Sequence, residues 1–288
     1  MKLFTGLYTA IITPFKNGQI DENAFERLIE FQIKNNVNGI IPCGTTGESP
    51  TLNHDEHNKV IELACQIANN RINVIAGTGS NSTAEAIKLT NHAKKVGANG
   101  ALIVVPYYNK PTQEGLYAHF KAINDNCDIP LIIYNIPGRS VVDMQDQTIA
   151  NLAKLKNIIG IKDATGDLAR VASLRLLVDD DFCFLSGEDA TAVGFNAMGG
   201  DGVISVSSNI APDLCKKLQN ACENNDYPTA LKIQDQLTPL HQLMFASTSP
   251  APIKYAASLL GYGDGSIRLP LVEINDDLKQ QIKSLIGN

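Results

Sequence analysis

Lys162 is the strongest candidate for a catalytic side chain, because it directly follows the apolar run 158–161. A lysine that is partly desolvated at the end of a buried strand favours its neutral amine. A neutral amine attacks a carbonyl group and forms a Schiff base. The alternative is a lysine that points to water or pairs with Asp163, and the residue type alone leaves both open.

Three further groups follow predicted strands. Tyr134 ends one such run, where a phenol can move protons to and from an amine. Thr45 and Thr46 lie in a glycine-flanked turn whose backbone N–H groups can bind a carboxylate. Arg139 carries a guanidinium fork that matches a second carboxylate. The alternatives are a core tyrosine, a simple turn and a surface arginine.

Composition excludes several classes of protein. The 288 residues carry a formal charge of −6, and 44% of them are hydrophobic, which is too many for a disordered chain. No basic cluster favours nucleic acid or an anionic membrane. No apolar run approaches the ~20 residues of a membrane span, and the N-terminus lacks a signal peptide. The six scattered cysteines predict free thiols in a reducing cytoplasm.

Motifs of three other site classes are incomplete. The Gly-Thr-Gly at 77–79 lacks the third glycine of a dinucleotide fingerprint, since Ser82 stands there. The turn at 44–47 is not followed by the Gly-Lys-Ser/Thr of a P-loop. His54 and His57 lack the partners of a diagnostic metal pattern. We therefore expect no metal.

Eight short apolar runs predict eight strands that are buried on both faces. They are 7–12, 39–42, 74–76, 101–105, 131–134, 158–161, 182–185 and 203–206. Their starts lie roughly 20 to 35 residues apart, which is the span of a strand and a crossover helix. Helix starts are predicted at Asp21, Asp143 and two capping boxes, 53–56 and 82–85.

Eight regularly spaced βα units favour an α/β fold with a (β/α)₈ TIM barrel over a doubly wound sheet. Residues 1–211 would form the barrel core. Residues 212–288 would hold the last barrel helix and a helical C-terminal extension, with helices at 214–222, 229–237 and 252–260. In a barrel, the polar residues after the strands meet at one end, where active sites lie.

Four motifs together resemble the pyruvate-dependent class I aldolase barrels, and within them the dihydrodipicolinate synthase family. The motifs are Gly-Thr-Thr-Gly-Glu-Ser-Pro-Thr-Leu at 44–52, Val-Pro-Tyr-Tyr-Asn-Lys-Pro at 105–111, Tyr-Asn-Ile-Pro-Gly-Arg at 134–139 and Ile-Lys-Asp-Ala-Thr-Gly-Asp at 161–167. The resemblance spans nearly the whole chain. It implies that Lys162 forms a Schiff base with pyruvate and that Tyr134 donates and accepts protons.

The resemblance also implies roles for the surrounding residues. Thr45 would link Tyr134 to Tyr108, which reaches in from the neighbouring subunit of a tight dimer within a homotetramer. Four residues would contact substrate. Thr46 would bind the pyruvate carboxylate, and Ile204 would line the same pocket. Gly187 would let the backbone approach the substrate closely, and Arg139 would bind the carboxylate of aspartate semialdehyde. The lysine serves as electron sink, so the reaction needs no cofactor.

Two competing functions stay open. N-acetylneuraminate lyases are similar, but they usually carry Ser-Thr at the position of Thr45 and Thr46 and lack the arginine matching Arg139. Other 2-oxo acid aldolases are a smaller alternative. A barrel that has lost its chemistry and only binds is the alternative of another class. It is disfavoured because Lys162, Tyr134 and their partners are all present.

Inhibition by L-lysine is also implied for this family, at the dimer interface. The matching positions are Ser49, His54, His57, Asn81, Glu85 and Tyr107. Glu85 could pair with the amine of lysine. Pro50 stands where alanine is commoner, which is a mild departure. The alternative for Glu85 is a structural role in the capping box that starts at Ser82.

Overall fold

Eight parallel strands close into a barrel in the computed structural model, which describes residues 2–287. In barrel order they are β1 (Gly6–Thr9), β4 (Gly39–Ile40), β5 (Asn73–Gly77), β6 (Gly100–Val104), β7 (Leu131–Asn135), β8 (Ile158–Asp163), β9 (Cys183–Ser186) and β10 (Gly202–Ser205). β1 pairs with both β4 and β10, so the barrel has no open edge. The predicted TIM barrel is confirmed.

A small antiparallel hairpin in the loop after β1 was not predicted. It pairs β2 (Phe15–Lys16) with β3 (Gln19–Ile20). Strands of two residues are too short to give an alternating pattern, so periodicity could not reveal them.

Twelve α-helices occur in residues 2–287. Those of the barrel region are α1 (Glu22–Lys34), α2 (His54–Ala68), α3 (Thr83–Lys95), α4 (Gln113–Asn126), α5 (Pro137–Ser140), α6 (Asp146–Leu152), α7 (Ala169–Arg175) and α8 (Ala192–Ala197). Those that follow are α9 (Pro212–Glu223), α10 (Tyr227–Met244), α11 (Ala251–Leu259) and α12 (Asp276–Ile286). The first three of this second group match the predicted helices, and α12 adds to them.

Three of the four predicted helix starts are confirmed, at Asp21, Asn53 and Ser82. The Asp21 side chain caps α1, and Asn53 and Glu56 form a capping box at α2. The helix α3 starts directly after Ser82, as predicted, but the predicted capping box there is wrong, because the Ser82 side chain makes no capping hydrogen bond. The start at Asp143 is also wrong: α6 begins later, and Asp143 forms an ion pair instead.

The inside of the barrel is filled by a buried cluster of apolar and aromatic side chains. Tyr8, Ile132 and Leu185 belong to it, and Tyr134 and Ile204 lie in the same cluster. All six cysteines are unpaired thiols. Over residues 2–287, no helix has the length and apolar character that a membrane crossing requires.

Candidate active site

Lys162 points into the barrel mouth. Its Nζ lies 4.0 Å from the ring centroid of Tyr134, its register partner on the neighbouring strand β7. The two residues are only 7% and 6% exposed. Successive side chains of a strand face opposite ways, and Asp163 bonds to Thr165 and lies 3.7 Å from Arg170. The alternative of a solvent-facing lysine, or one paired with Asp163, is therefore wrong.

The glycine-flanked turn after β4 is closed by its own backbone. The Glu48 N–H donates to the Thr45 carbonyl at 3.1 Å, and the Gly47 N–H donates to the Gly44 carbonyl at 3.1 Å. Thr46 is buried. Within the described part of the chain, the amides of Thr45 and Thr46 donate no hydrogen bond to protein. Two such free N–H groups suit a carboxylate.

Gly187, directly after β9, lies beside the lysine, and Ile204 lies one strand further, on β10. A Cβ at Gly187 would lie 2.7 Å from the Ala164 Cβ and 3.1 Å from the Lys162 Cε, so a side chain there would crowd the lysine. Ile204 on β10 is buried in the apolar layer that contains Tyr134.

Glu188 was noted in sequence only as a polar residue after a strand, without a role. Its side chain is half-buried. Burial raises the pKa of the Glu188 carboxyl, the charge of Asp189 raises it further, and Lys162 opposes both effects. A better signal would have been its place beside Gly187, directly at the end of β9.

One cavity of about 400 Å³ is lined by residues from both predicted sites. At one end it is lined by Tyr134, Thr45 and Arg139. Its other lining residues include five from the predicted lysine site, namely Ser49, His54, His57, Glu85 and Tyr107. Arg139 is exposed on α5, and its Nη2 lies 3.5 Å from the Ser249 carbonyl oxygen.

Glu85 bonds to two neighbouring side chains and takes no part in a helix capping box. The Ser80 hydroxyl donates to one carboxylate oxygen, and the His54 Nε2 lies 2.8 Å from the other. The Ser80 hydrogen bond, followed by His54, lowers the pKa of Glu85. Asn81 donates to the Tyr107 carbonyl at 3.2 Å. The capping role considered for Glu85 is therefore wrong.

His57 is a buried, neutral imidazole at the cavity wall. It is 3% exposed, and burial lowers its pKa to about 4 against an opposing contact with the Gly77 backbone. In residues 2–287, no group of three or more His, Cys, Asp or Glu side chains is arranged to hold a metal ion.

Tyr108 does not join the other predicted catalytic residues within one chain. It is 89% exposed and has a φ of 72°. A tyrosine in this left-handed region is strained, and such strain is common at sites that serve a function. Thr45 and Tyr134 line one cavity and Lys162 lies beside the Tyr134 ring, whereas Tyr108 is exposed at the surface.

The chain matches known proteins over nearly its whole length. The model of the dihydrodipicolinate synthetase family matches residues 3–288. A protein of Parvibaculum lavamentivorans named 4-hydroxy-tetrahydrodipicolinate synthase is 56% identical over 280 residues, covering 97% of this chain and 96% of the relative.

Two solved structures are similar and carry small molecules. One is the chloride-inhibited dihydrodipicolinate synthase of Acinetobacter baumannii complexed with pyruvate, at 43% identity and a TM-score of 0.96 over 98% of both chains. The other is the enzyme of Cyanidioschyzon merolae with lysine bound, at 36% identity and a TM-score of 0.96, covering 100% of this chain and 98% of that one. Together with the closed barrel and the family match, these similarities show that the chain belongs to the dihydrodipicolinate synthetase family of class I aldolase-type lyases.

Proposed function

We propose that this enzyme condenses pyruvate with L-aspartate 4-semialdehyde to give 4-hydroxy-tetrahydrodipicolinate, a step towards diaminopimelate and lysine. The observation that carries the proposal is the buried Lys162 amine, 4.0 Å from the Tyr134 ring at the barrel mouth. The name of the 56% identical relative and the pyruvate complex of the Acinetobacter baumannii enzyme support this choice of substrates.

The Lys162 amine begins the reaction by attacking the C2 carbonyl of pyruvate. Tyr134 supplies and removes the protons as one water leaves and the iminium forms. The iminium withdraws electrons from the methyl group, whose proton is lost to give an enamine. The enamine carbon attacks the aldehyde, and the amine of the adduct then displaces Lys162 and closes the ring. The lysine is thereby regenerated, and no cofactor takes part.

Substrate contacts follow from groups around the lysine. The free N–H groups of the Thr45–Thr46 turn bind the pyruvate carboxylate, and Ile204 forms the apolar wall. Gly187 leaves room beside the Lys162 Cε, where a Cβ would come within 3.1 Å. Arg139, exposed at the cavity rim, binds the carboxylate of aspartate semialdehyde with its guanidinium fork.

Tyr108 completes the site of a neighbouring subunit. Its 89% exposure in one chain supports this role, because a proton relay through Thr45 to Tyr134 requires a protected tyrosine. The assembly is a homotetramer built from tight dimers. The six unpaired cysteines support a cytoplasmic location, since free thiols persist in a reducing compartment.

Borohydride trapping tests the Schiff base directly. With pyruvate present, we expect a reduced pyruvyl adduct on Lys162, located by intact mass and peptide mapping, and no adduct without pyruvate. The control variant Lys162→Met should bind no pyruvate covalently. Arg139→Ala should keep the adduct and raise the KM for aspartate semialdehyde. If folded wild-type protein forms no adduct, the aldolase mechanism is overturned, and a non-catalytic binding barrel replaces it.

We infer that L-lysine inhibits the enzyme at the far end of the cavity. Glu85 offers a carboxylate to the lysine amine once His54, at 2.8 Å, gives way. His57 presents a neutral imidazole at the same wall. The lysine complex of the Cyanidioschyzon merolae relative supports a lysine site in this fold.

Glu85→Ala should abolish inhibition by lysine while keeping catalytic activity, because it removes the only partner of the amine proposed here. Inhibition curves with added L-lysine measure the effect. Glu114→Ala removes an exposed carboxylate outside the cavity and serves as the matched control. An unchanged inhibition curve for Glu85→Ala would exclude this site.

A further inference from the structure

The carboxylate of Glu48 is buried and accepts hydrogen bonds from two residues of the C-terminal extension. Its side chain and that of Lys254 on α11 are each 1% exposed. The Lys254 Nζ donates to one carboxylate oxygen, and the Arg268 backbone N–H donates to the other at 3.0 Å. We call Glu48, Lys254 and Arg268 the Glu48 clamp.

Glu48 is also the residue that closes the Thr45–Thr46 turn. Its N–H donates to the Thr45 carbonyl at 3.1 Å, and its carbonyl accepts from the Thr51 N–H at 3.0 Å. Its φ of 55° is left-handed, which is costly for a residue with a side chain. Such a backbone persists only where its surroundings hold it in place. The Glu48 clamp supplies such contacts from outside the turn, as does the Thr13 hydroxyl, which donates to the Gly47 carbonyl at 2.7 Å.

Phe15 and Glu56 connect the clamp to β2 and to α2. The Lys254 Nζ lies 3.7 Å from the ring centroid of Phe15, and the Arg268 guanidinium lies 4.4 Å from it. The same guanidinium binds both oxygens of Glu56, in the capping box of α2, at 2.6 and 2.7 Å.

A buried ion pair of this kind is poorly explained by stability alone. Burial lowers the pKa of Lys254, and the Glu48 carboxylate only opposes that fall. Removing two charges from water is expensive, and an apolar pair of similar volume is often as stable or more so. An apolar contact at this place would let the chain fold equally well, so the ion pair needs an explanation other than stability.

We propose that Lys254 is a positioning residue for the pyruvate step, acting through Glu48 to hold the Thr45–Thr46 turn where its N–H groups meet the substrate carboxylate. The C-terminal extension thereby takes part in catalysis without touching substrate. This inference rests on the proposed function, because it assumes that the turn binds pyruvate.

Lys254→Met tests the clamp, since it removes the ammonium and keeps an unbranched stem of similar length. We expect the KM for pyruvate to rise and the rate of borohydride trapping to fall about tenfold, because small misplacements of a binding group carry large kinetic effects. The KM for aspartate semialdehyde should stay within about twofold of the wild-type value, because Arg139 lies outside the clamp. Lys254→Arg should recover much of the loss.

The double variant Glu48→Met/Lys254→Met separates positioning from stability. It leaves no unpaired buried charge, so its melting temperature should recover relative to Lys254→Met, while its KM for pyruvate should stay raised. The control Leu278→Ala removes a buried side chain of α12 in the same extension. It should lower the melting temperature and leave the KM for pyruvate unchanged.

Two results would overturn the inference in distinguishable ways. If Lys254→Met and the double variant keep the wild-type KM for pyruvate and trapping rate, the clamp is only structural, and the wild-type adduct still supports the proposed function. If the wild type forms no adduct, the proposed function fails, and the inference fails with it.

Discussion

Two single residues, His57 and His119, make the free energy of unfolding depend on pH in the acidic range. They are 3% and 6% exposed, and burial lowers the pKa of each to about 4 from an ordinary 6.5. His119 keeps one partner, the Thr83 hydroxyl, 2.9 Å from its Nδ1. The folded state therefore binds fewer protons than the unfolded state whenever the pH lies between the two pKa values.

Stability from these histidines is fully present above pH 6.5 and is lost as the pH falls towards 4. Linkage gives a loss of about 2 kcal/mol per histidine at about pH 5. His119→Gln removes one titrating group outside the cavity. Chemical denaturation at about pH 7.5 and about pH 5 should show that the wild type loses about 2 kcal/mol more than this variant. Equal losses for the two proteins would contradict the role of His119.

At the scale of elements, Arg170 on α7 ties together the ends of β7 and β8. Its guanidinium lies 2.7 Å from Asp143, 2.9 Å from Asp146 and 3.7 Å from Asp163. Asn135, at the end of β7, donates to the same Asp143 oxygen at 2.7 Å. Asn135 and Asp163, which follow Tyr134 and Lys162 on their strands, are therefore connected through the buried guanidinium of Arg170.

Arg170→Met should destabilise the protein by about 3–5 kcal/mol, because it leaves partly buried carboxylates without their cation. It should also slow the borohydride trapping of pyruvate at temperatures where the variant is folded, since the ends of β7 and β8 lose their shared anchor. Denaturation curves and trapping rates measure the two effects. Arg175→Met on the same helix is the control and should change neither, because the guanidinium of Arg175 donates to the Met198 carbonyl at 3.3 Å and forms no ion pair with the carboxylates of residues 2–287.

At the scale of the whole molecule, a single chain leaves Tyr108 apart from its proposed partners. The cavity that holds Thr45 and Tyr134 is open to the surface, and Tyr108, which is 89% exposed, does not line it. Tyr107, beside it, is 37% exposed and lines the cavity. A second copy of the chain, packed on this face, would complete the relay and cover both tyrosines.

Mixing two inactive variants tests whether sites are shared between subunits. Tyr108→Phe and Lys162→Met should each have little activity alone. After unfolding and refolding together in equal amounts, random pairing should leave about one quarter of the sites with both residues intact, because half of the dimers are mixed. Activity of the refolded mixture measures this. If the mixture is no more active than its components, Tyr108 does not act across the interface.

Local patterns accounted for most of the fold. Eight strands and the capping box at Asn53 were predicted because apolar runs and caps act over a few residues. The helix starts after Ser82 as predicted, but the capping box was wrong. Glu85 bonds instead to Ser80 and to His54, which lies on another helix, and the Ser82 N–H donates to the Ser80 hydroxyl. A sequence pattern shows which partners a side chain has nearby along the chain, and not which competitors reach it in space.

The sequence by itself determined the chemical groups available and the order of barrel units that bring them to one end. Only the tertiary structure decided that Lys162 faces the Tyr134 ring rather than Asp163, because direction depends on the register of β7 and β8. It alone also paired Glu48 with Lys254, 206 residues further along the chain. No local signal marks such a pair, since its energy comes from burial that exists only once the chain is folded.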